Sequence, residues 1–250
     1  MAALSNVINT FSVDRGDFLN SSVNTTNSLQ FTPLVSGNND IYTVPTGKRA
    51  FVTSLGINNN SGGSLTYYVQ VKISGTYYQI TTASAVANNA FGTFQINNSA
   101  GIVLNAGEGL AVNASGNGGA VFKVNYREFD ASIPFKTASL TAPAAGNNTV
   151  YTVPTGYAAV MGSGAETGGV TFGGYANFSG ANKTYTHNDV LSGGSVGTTN
   201  QTVTSSTSTN NTVSNFLFPN IMSAGDFANF NTSANNAGQF VWLNMYEFPL

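Results

Sequence analysis

The chain has 250 residues, enough for one large all-β domain or two domains of roughly 100 to 125 residues each. Lys, Arg, Asp and Glu make up 7% of it, against about 25% in an ordinary soluble domain, and the net charge is −2. Eight scattered basic residues, with only Lys48 and Arg49 adjacent, exclude a binder of phosphate backbones; 41% hydrophobic residues exclude a disordered chain; and the lack of cysteine excludes disulfides and thiolate metal sites.

In chain order, Met1-Ala2-Ala3-Leu4-Ser5-Asn6 lacks the basic and apolar regions of a secretory signal, and no later apolar run is long enough to span a bilayer. The expectation is a chain made in the cytoplasm, without a signal peptide, that uses neither membrane nor nucleic acid. Residues 1–27 have no counterpart elsewhere and are expected to form an arm or an added strand. Within them Asp14-Arg15-Gly16-Asp17 holds an RGD tripeptide, read as an ordinary turn. Strands are predicted at 40–44 and 49–58, where β-branched and aromatic residues flank a Pro-Thr-Gly break. Val44-Pro45-Thr46-Gly47 fits a type I turn with proline second and glycine fourth. Further strands are predicted at 65–72, 77–82, 91–96, 101–104, 109–112 and 120–129, with Ala106-Gly107-Glu108-Gly109 as a hairpin turn. Nothing sustains a 3.6-residue period over helical length.

From residue 137 the pattern begins again. Asn38-Asn39-Asp40-Ile41-Tyr42-Thr43-Val44-Pro45-Thr46-Gly47 returns as Asn147-Asn148-Thr149-Val150-Tyr151-Thr152-Val153-Pro154-Thr155-Gly156, at an offset of 109, with Gly37 and Gly146 extending the match. Leu104-Asn105-Ala106-Gly107-Glu108 returns as Met222-Ser223-Ala224-Gly225-Asp226 at offset 118, and Val124-Asn125-Tyr126-Arg127-Glu128-Phe129 as Leu243-Asn244-Met245-Tyr246-Glu247-Phe248 at offset 119. Three anchors in one order describe a unit copied and then lengthened in its loops. Two copies are too few for a solenoid, so each must close its own core. The predicted fold is therefore all-β: an N-terminal arm at 1–27, one β-sandwich unit at 28–129, a linker at 130–136 and a second unit at 137–250. Seven or eight short strands per unit make a jelly roll the expected topology.

No catalytic, cofactor-binding or metal-binding residue is predicted, and no cofactor. His187, the sole histidine, has no Gly-x-Ser-x-Gly partner and is read as a loop or surface residue. Glu108 and Glu128 recur as Asp226 and Glu247. A carboxylate pair could flank a sugar bond, yet duplication in both halves suits a structural task, the first member accepting N–H bonds of its own turn. Tyr67-Tyr68, Tyr77-Tyr78 and Trp242 are candidates for a sugar-stacking platform, but adjacent tyrosines in a strand face opposite sides, so at most one of each pair faces a ligand, and Trp242 reads as core or interface. Gly162-Ser163-Gly164 and Gly168-Gly169 lack the Lys-Ser/Thr of a phosphate loop. The Asn-x-Ser/Thr sequons, Asn20-Ser21-Ser22 and Asn177-Phe178-Ser179 among them, follow from composition.

The strand ending Tyr42-Thr43-Val44-Pro45-Thr46-Gly47-Lys48, followed by Leu104-Asn105-Ala106-Gly107-Glu108, resembles bacteriophage virion structural proteins in which Tyr-x-Val-Pro-x-Gly-Lys opens a β-sandwich and Leu-x-Ala-Gly-Asp/Glu precedes the last strands. The second unit keeps the first motif but has Tyr157-Ala158 for the basic pair. The resemblance implies a non-enzymatic capsid decoration (cement), head-fibre or tail accessory protein on the particle surface. Its partners would be its own copies, as a trimer, and other capsid or virion proteins. A small double-jelly-roll major capsid protein is one alternative, and a tail or spike protein binding a host surface receptor or glycan is another. An enzyme such as a polysaccharide depolymerase is a third.

Overall fold

The computed structural model of the chain describes residues 24–96, 101–161, 173–178, 184–190, 196–197, 203–204, 220–233 and 239–250. These residues form twenty strands and no helix. The chain divides into two compact units, one ending at Asp130 and the other running from Ala131 to Leu250.

The first unit holds β1 (Asn24–Leu34), β2 (Gly37–Thr43), β3 (Lys48–Asn59), β4 (Leu65–Ile73), β5 (Thr76–Gln79), β6 (Ser84–Val86), β7 (Phe91–Gln95), β8 (Ile102–Leu104), β9 (Gly109–Ala114) and β10 (Gly118–Asp130). One sheet runs β1-β10-β3, with β7 and β8 both on the far side of β3; the other runs β2-β9-β4, with β5 and β6 both on the far side of β4. The chain crosses between sheets at six of its nine steps, and first and last strands pair in one sheet and second and penultimate in the other. That is the jelly-roll order. Every pairing is antiparallel, and side chains alternate between the core and the outside. Along β10, Ala120, Phe122, Val124 and Tyr126 are buried while Lys123 and Asn125 are exposed. Along β3 the side chains with no exposure are Ala50 and Val52, then Leu55, Ile57 and Asn59. The change of phase is a β-bulge at Thr53, where pairing steps from Tyr126↔Val52 to Asn125↔Ser54.

The second unit holds β11 (Phe135–Thr141), β12 (Gly146–Thr152), β13 (Tyr157–Met161), β14 (Gly173–Asn177), β15 (Thr184–Val190), β16 (Val196–Gly197), β17 (Val203–Thr204), β18 (Asn220–Met222), β19 (Phe227–Thr232) and β20 (Gln239–Pro249). Its sheets run β11-β20-β13-β18, with β14 also on β20, and β12-β19-β15, with β16 and β17 on β15. This is the first unit's order, with β13 and β14 together in the place of β3 and with no counterpart of β7 among the described residues. Val153, Ala159, Met222, Ala228, Phe230, Val241, Leu243 and Met245 form its core, against which Ala138, Leu140, Val150 and Tyr151 pack. The sandwich of jelly-roll topology expected from the sequence is what forms, twice.

The register also locates the lengthening that separates the copies. Met161 pairs with Met245 as Val52 does with Tyr126, and Gly173 pairs with Leu243 as Leu55 does with Val124. Eleven residues, 162–172, stand where the first unit has only Thr53 and Ser54. Most of the drift in offset thus arises inside one strand, at the position of the bulge, and not in the loops at the ends of the sandwich. A bulge has already given up a ladder bond, so chain inserted there breaks no further pairing.

Two turns differ from expectation. The Lys48 amide donates to the Pro45 carbonyl at 3.1 Å and Gly47 has φ of +76°. The turn is therefore Pro45-Thr46-Gly47-Lys48, one residue later than expected. Positive φ at its third position makes it type II, which glycine enters without steric cost. Pro154-Thr155-Gly156-Tyr157 repeats it, with the same 3.1 Å bond and φ of +82°. The Ala-Gly-Glu turn is not a hairpin: β8 pairs with β3 and β9 with β2 and β4, so it carries the chain from one sheet to the other.

At the junction of β1 and β2 the repeated Gly-Asn-Asn finds its purpose. Asn39 Nδ2 donates to the carbonyls of Val35 (2.9 Å) and Gly37 (2.8 Å), and its Oδ1 accepts from the Val35 amide (3.1 Å). Asn148 makes the same three bonds with Ala144 and Gly146. The preceding asparagines reach across the strands, Asn113 Nδ2 donating to Asn38 and Asn231 Nδ2 to Asn147. The Asn39 side chain is buried and ties down the half-open turn at Val35 and Gly37, so Asn39→Ala loses three hydrogen bonds and is expected to cost about 1–2 kcal/mol. Asn148, more open to solvent, is expected to cost less than half as much. Urea unfolding of the two single variants checks the ordering.

Candidate functional site

The repeated motifs converge at one end of each sandwich. In the first unit the turn after β2 and the turn before β9 are bonded to each other: the Val44 amide donates to the Glu108 carbonyl at 2.9 Å and the Gly107 amide to the Val44 carbonyl at 3.0 Å. The second unit repeats both bonds, Val153 to Asp226 and Gly225 to Val153, each at 2.9 Å. Val44 and Val153 are buried beneath the junction. Glu108 turns its carboxylate back onto its own turn, accepting from the Asn105 amide at 2.7 Å, and Asp226 accepts from the Ser223 amide at the same distance. This is the turn-capping task expected of these acids.

Beside the paired turns a tyrosine links the sheets. The Tyr42 hydroxyl, on β2, donates to Glu128 on β10 at 2.5 Å, and the Tyr151 hydroxyl, on β12, donates to Glu247 on β20. A β-bulge stands just before each tyrosine, between Asp40 and Tyr42 and again between Thr149 and Tyr151, and re-aims the side chain relative to a regular strand. In the second unit Lys136 adds an ion pair to Glu247 at 2.7 Å and lies 5.3 Å from the Tyr151 ring centroid. In the first, Thr25 holds the register position of Lys136, and Tyr42 instead packs on Tyr126, centroids 4.7 Å apart. All four repeated carboxylates are thus engaged by bonds that hold turns and sheets together. The arrangement is a structural lock, built twice.

Burial first, then the bond to the glutamate, pushes the hydroxyls of Tyr42 and Tyr151 far above the ordinary tyrosine value near 10.0. Above about pH 10 these tyrosines ionise in the unfolded chain but stay protonated in the folded one. The unfolded chain then holds fewer protons, so stability is unaffected below that pH and falls above it, by up to about 1.4 kcal/mol per pH unit for each tyrosine. A Tyr42→Phe/Tyr151→Phe chain is expected to be less stable at pH 7 but to lose stability more gently between pH 10 and 12, as read by urea unfolding across that range.

The remaining candidates are dispersed. His187 lies on strand β15, opposite Phe230 and at the register position of Val69 in the first unit, so the loop expected there is a strand. Extended β-branched neighbours, Thr184, Thr186 and Val190, were the signal for it. Tyr67 is buried, its hydroxyl donating to Asn59 at 3.0 Å, and Tyr77 donates to Asp40 at 2.9 Å beside the ion pair Lys72–Asp40. Trp242 is fully buried. The RGD tripeptide, the Asn20 sequon, the glycine-rich 162–164 and 168–169, and residues 1–22 of the proposed arm lie outside the described residues. Among the described residues no group of three or more His, Asp or Glu could hold a metal ion, and no helix is long and apolar enough to cross a membrane.

Fold and lock together define a tandem jelly-roll protein with an internally duplicated scaffold. No protein family matches the chain, and no curated protein does. Solved structures align with the chain at low identity and low TM-score. The STIV MCP is 8% identical with a TM-score of 0.34 over 91% of this chain and 95% of its own. The major capsid protein P2 of bacteriophage PM2 is 8% identical with a TM-score of 0.33 over 90% and 98%. Oxalate decarboxylase of Bacillus subtilis is 8% identical with a TM-score of 0.20 over 92% and 71%. At such values the likeness carries no argument.

Proposed function

We propose that the chain is a non-enzymatic structural protein of a virus particle, working through contacts with its own copies and with other virion proteins. The observation behind this reading is the doubled jelly roll itself, in which the repeated polar residues all serve the scaffold. A surface built mainly from Asn, Ser, Thr and Gly can pack against neighbours without burying unpaired charge, which is costly. Little net charge also leaves little repulsion between copies. The finer reading is a decoration (cement) protein that trimerises and ties down a capsid lattice from outside.

A second reading, a double-jelly-roll major capsid protein, is favoured by the doubling of the jelly roll within one chain: three such chains present six similar sandwiches, a near-hexagonal tile. Mass spectrometry of purified particles separates the two. Presence beside a more abundant coat protein supports decoration, and presence as the dominant coat species supports the second reading. Absence from particles, with a monodisperse monomer in sedimentation, overturns both. A glycan array screened with the purified chain tests the spike alternative, in which binding would be lost on substitution of Tyr68 or Tyr78.

A further inference from the structure

The lock and the turn caps are repeated, but one cluster of side chains belongs to the first unit alone. Along β4, Tyr67, Val69 and Val71 point to the core with no exposure, so Tyr68, Gln70 and Lys72 point outward. In register, Gln70 lies between Ala111 on β9 and Gln79 on β5, Lys72 stands beside Tyr77, and Asp40 on β2 lies beyond Ala111. The Lys72 ammonium reaches across β9 to Asp40 at 2.6 Å, and the Tyr77 hydroxyl donates to the same carboxylate at 2.9 Å. The second unit has Thr186, Asn188 and Val190 at the register positions of Tyr68, Gln70 and Lys72, and Thr149 at that of Asp40. A jelly roll of this plan therefore closes without the cluster.

Gln70 gives the cluster a purpose outside the fold. It points away from the core yet is only 6% exposed, and its Oε1 is, among the described residues, the one buried side-chain oxygen or nitrogen with no hydrogen-bond partner. An enclosed acceptor left unpaired is costly, and an apolar residue of similar shape would avoid the cost. Half a turn of the amide exchanges Oε1 with Nε2 without altering the shape of the side chain, so either group can be offered to a ligand. Tyr68 stands at one end of this row and the Lys72–Asp40 bridge at the other, about 13 Å apart along the strand. Tyr68 and Tyr77 are both partly exposed.

We infer that this face binds a neutral oligosaccharide. A sugar carries C–H groups that pack on the ring of Tyr68, and hydroxyls that donate to Gln70 and exchange bonds with Asp40 and Tyr77. Asp40 and Lys72 cancel each other, and no other charged residue occurs in β2, β4, β5, β6 or β9. A phosphate, sulfate or carboxylate would find the cation already paired, and an apolar chain would leave Gln70 unpaired. The distance from Tyr68 to the bridge exceeds a single sugar ring, so a chain of sugars is what spans it. This goes beyond a structural role in a particle. Binding by the purified chain and incorporation into particles are measured separately, and either can fail alone.

The test titrates the full chain by calorimetry with neutral tetrasaccharides of glucose, galactose, mannose and N-acetylglucosamine, and with sulfated and sialylated oligosaccharides as charged controls. Saturable binding of at least one neutral member is expected, and Tyr68→Ala and Gln70→Leu are each expected to weaken it by about tenfold or more. Gln70→Leu is also expected to hold or raise the urea midpoint of the first unit, because it removes the unpaired acceptor. A merely structural Gln70 would give a lower midpoint instead. Lys123→Ala, on the other sheet, is expected to leave the affinity unchanged. The inference is overturned if no neutral member binds, if the charged controls bind more tightly, or if both face variants bind within about twofold of the unaltered chain. It is overturned equally if the two variants lose self-association in sedimentation while sugar binding persists, which would assign the face to a second copy.

Discussion

Trp242→Ala is expected to destabilise the second unit by about 3–5 kcal/mol, while Lys123→Ala, at the equivalent position of the first, is expected to change stability by less than about 0.5 kcal/mol. Both side chains point outward from the last strand of a jelly roll, and ordinary sandwich logic would call both tolerant. Trp242, however, is fully enclosed and stacked on Phe240, with Ser139 and Gly174 beside it, so truncation opens a cavity that its neighbours are too small to fill. Lys123 loses little more than a solvated stem. Two units in one chain need not unfold together, so each cost is read from the transition of its own unit in urea. Equal and small effects of the two substitutions would mean that the outward face of β20 is not part of a packed layer.

How much of this was legible in the sequence depends on which residues carried the information. The type of structure was open to view, because proline and glycine punctuated runs of β-branched and aromatic residues, and seven of the eight predicted strands of the first unit end within two residues of those observed. The strand predicted at 77–82 instead closes at Gln79. Strand β1 was foreseen only as an arm or an added strand before residue 28, without its bounds or partner, because Asn24-Thr25-Thr26-Asn27-Ser28 is as polar as a loop; it is a strand because β10 offers it an antiparallel edge. The repeated motifs were visible as strings but not as a device. Tyr42 and Glu128 are 86 residues apart, and nothing local says that one donates to the other. Only their joint recurrence as Tyr151 and Glu247 tied them, and a pair conserved through an internal duplication proves to be a contact. The turn types were misjudged because Val-Pro-Thr-Gly admits two frames, and the choice rests on where the amide of Lys48 finds its acceptor.

The duplicated lock itself should be felt unequally in the two units. Glu247→Ala is expected to cost about 2–3 kcal/mol and Glu128→Ala about 1–2 kcal/mol, in the range of hydrogen bonds to charged groups. Glu247 accepts from the Tyr151 hydroxyl and pairs with Lys136 at 2.7 Å, its own side chain only 14% exposed. Removing it leaves a buried hydroxyl without an acceptor and a largely enclosed ammonium without a counter-charge. Glu128 holds Tyr42 with no lysine beside it in register, and Tyr42 keeps its packing on Tyr126 after the carboxylate is gone. The companion changes separate charge from hydrogen bonding. Glu247→Gln keeps an acceptor for Tyr151 and should recover part of the loss, whereas Lys136→Met should recover part of the loss of Glu247→Ala by removing the stranded charge. Thermal and urea unfolding of the four variants measure these terms. If Glu128→Ala proves the costlier, sheet-to-sheet tethering at this end of the jelly roll depends on the tyrosine pair of the first unit more than on the ion pair of the second.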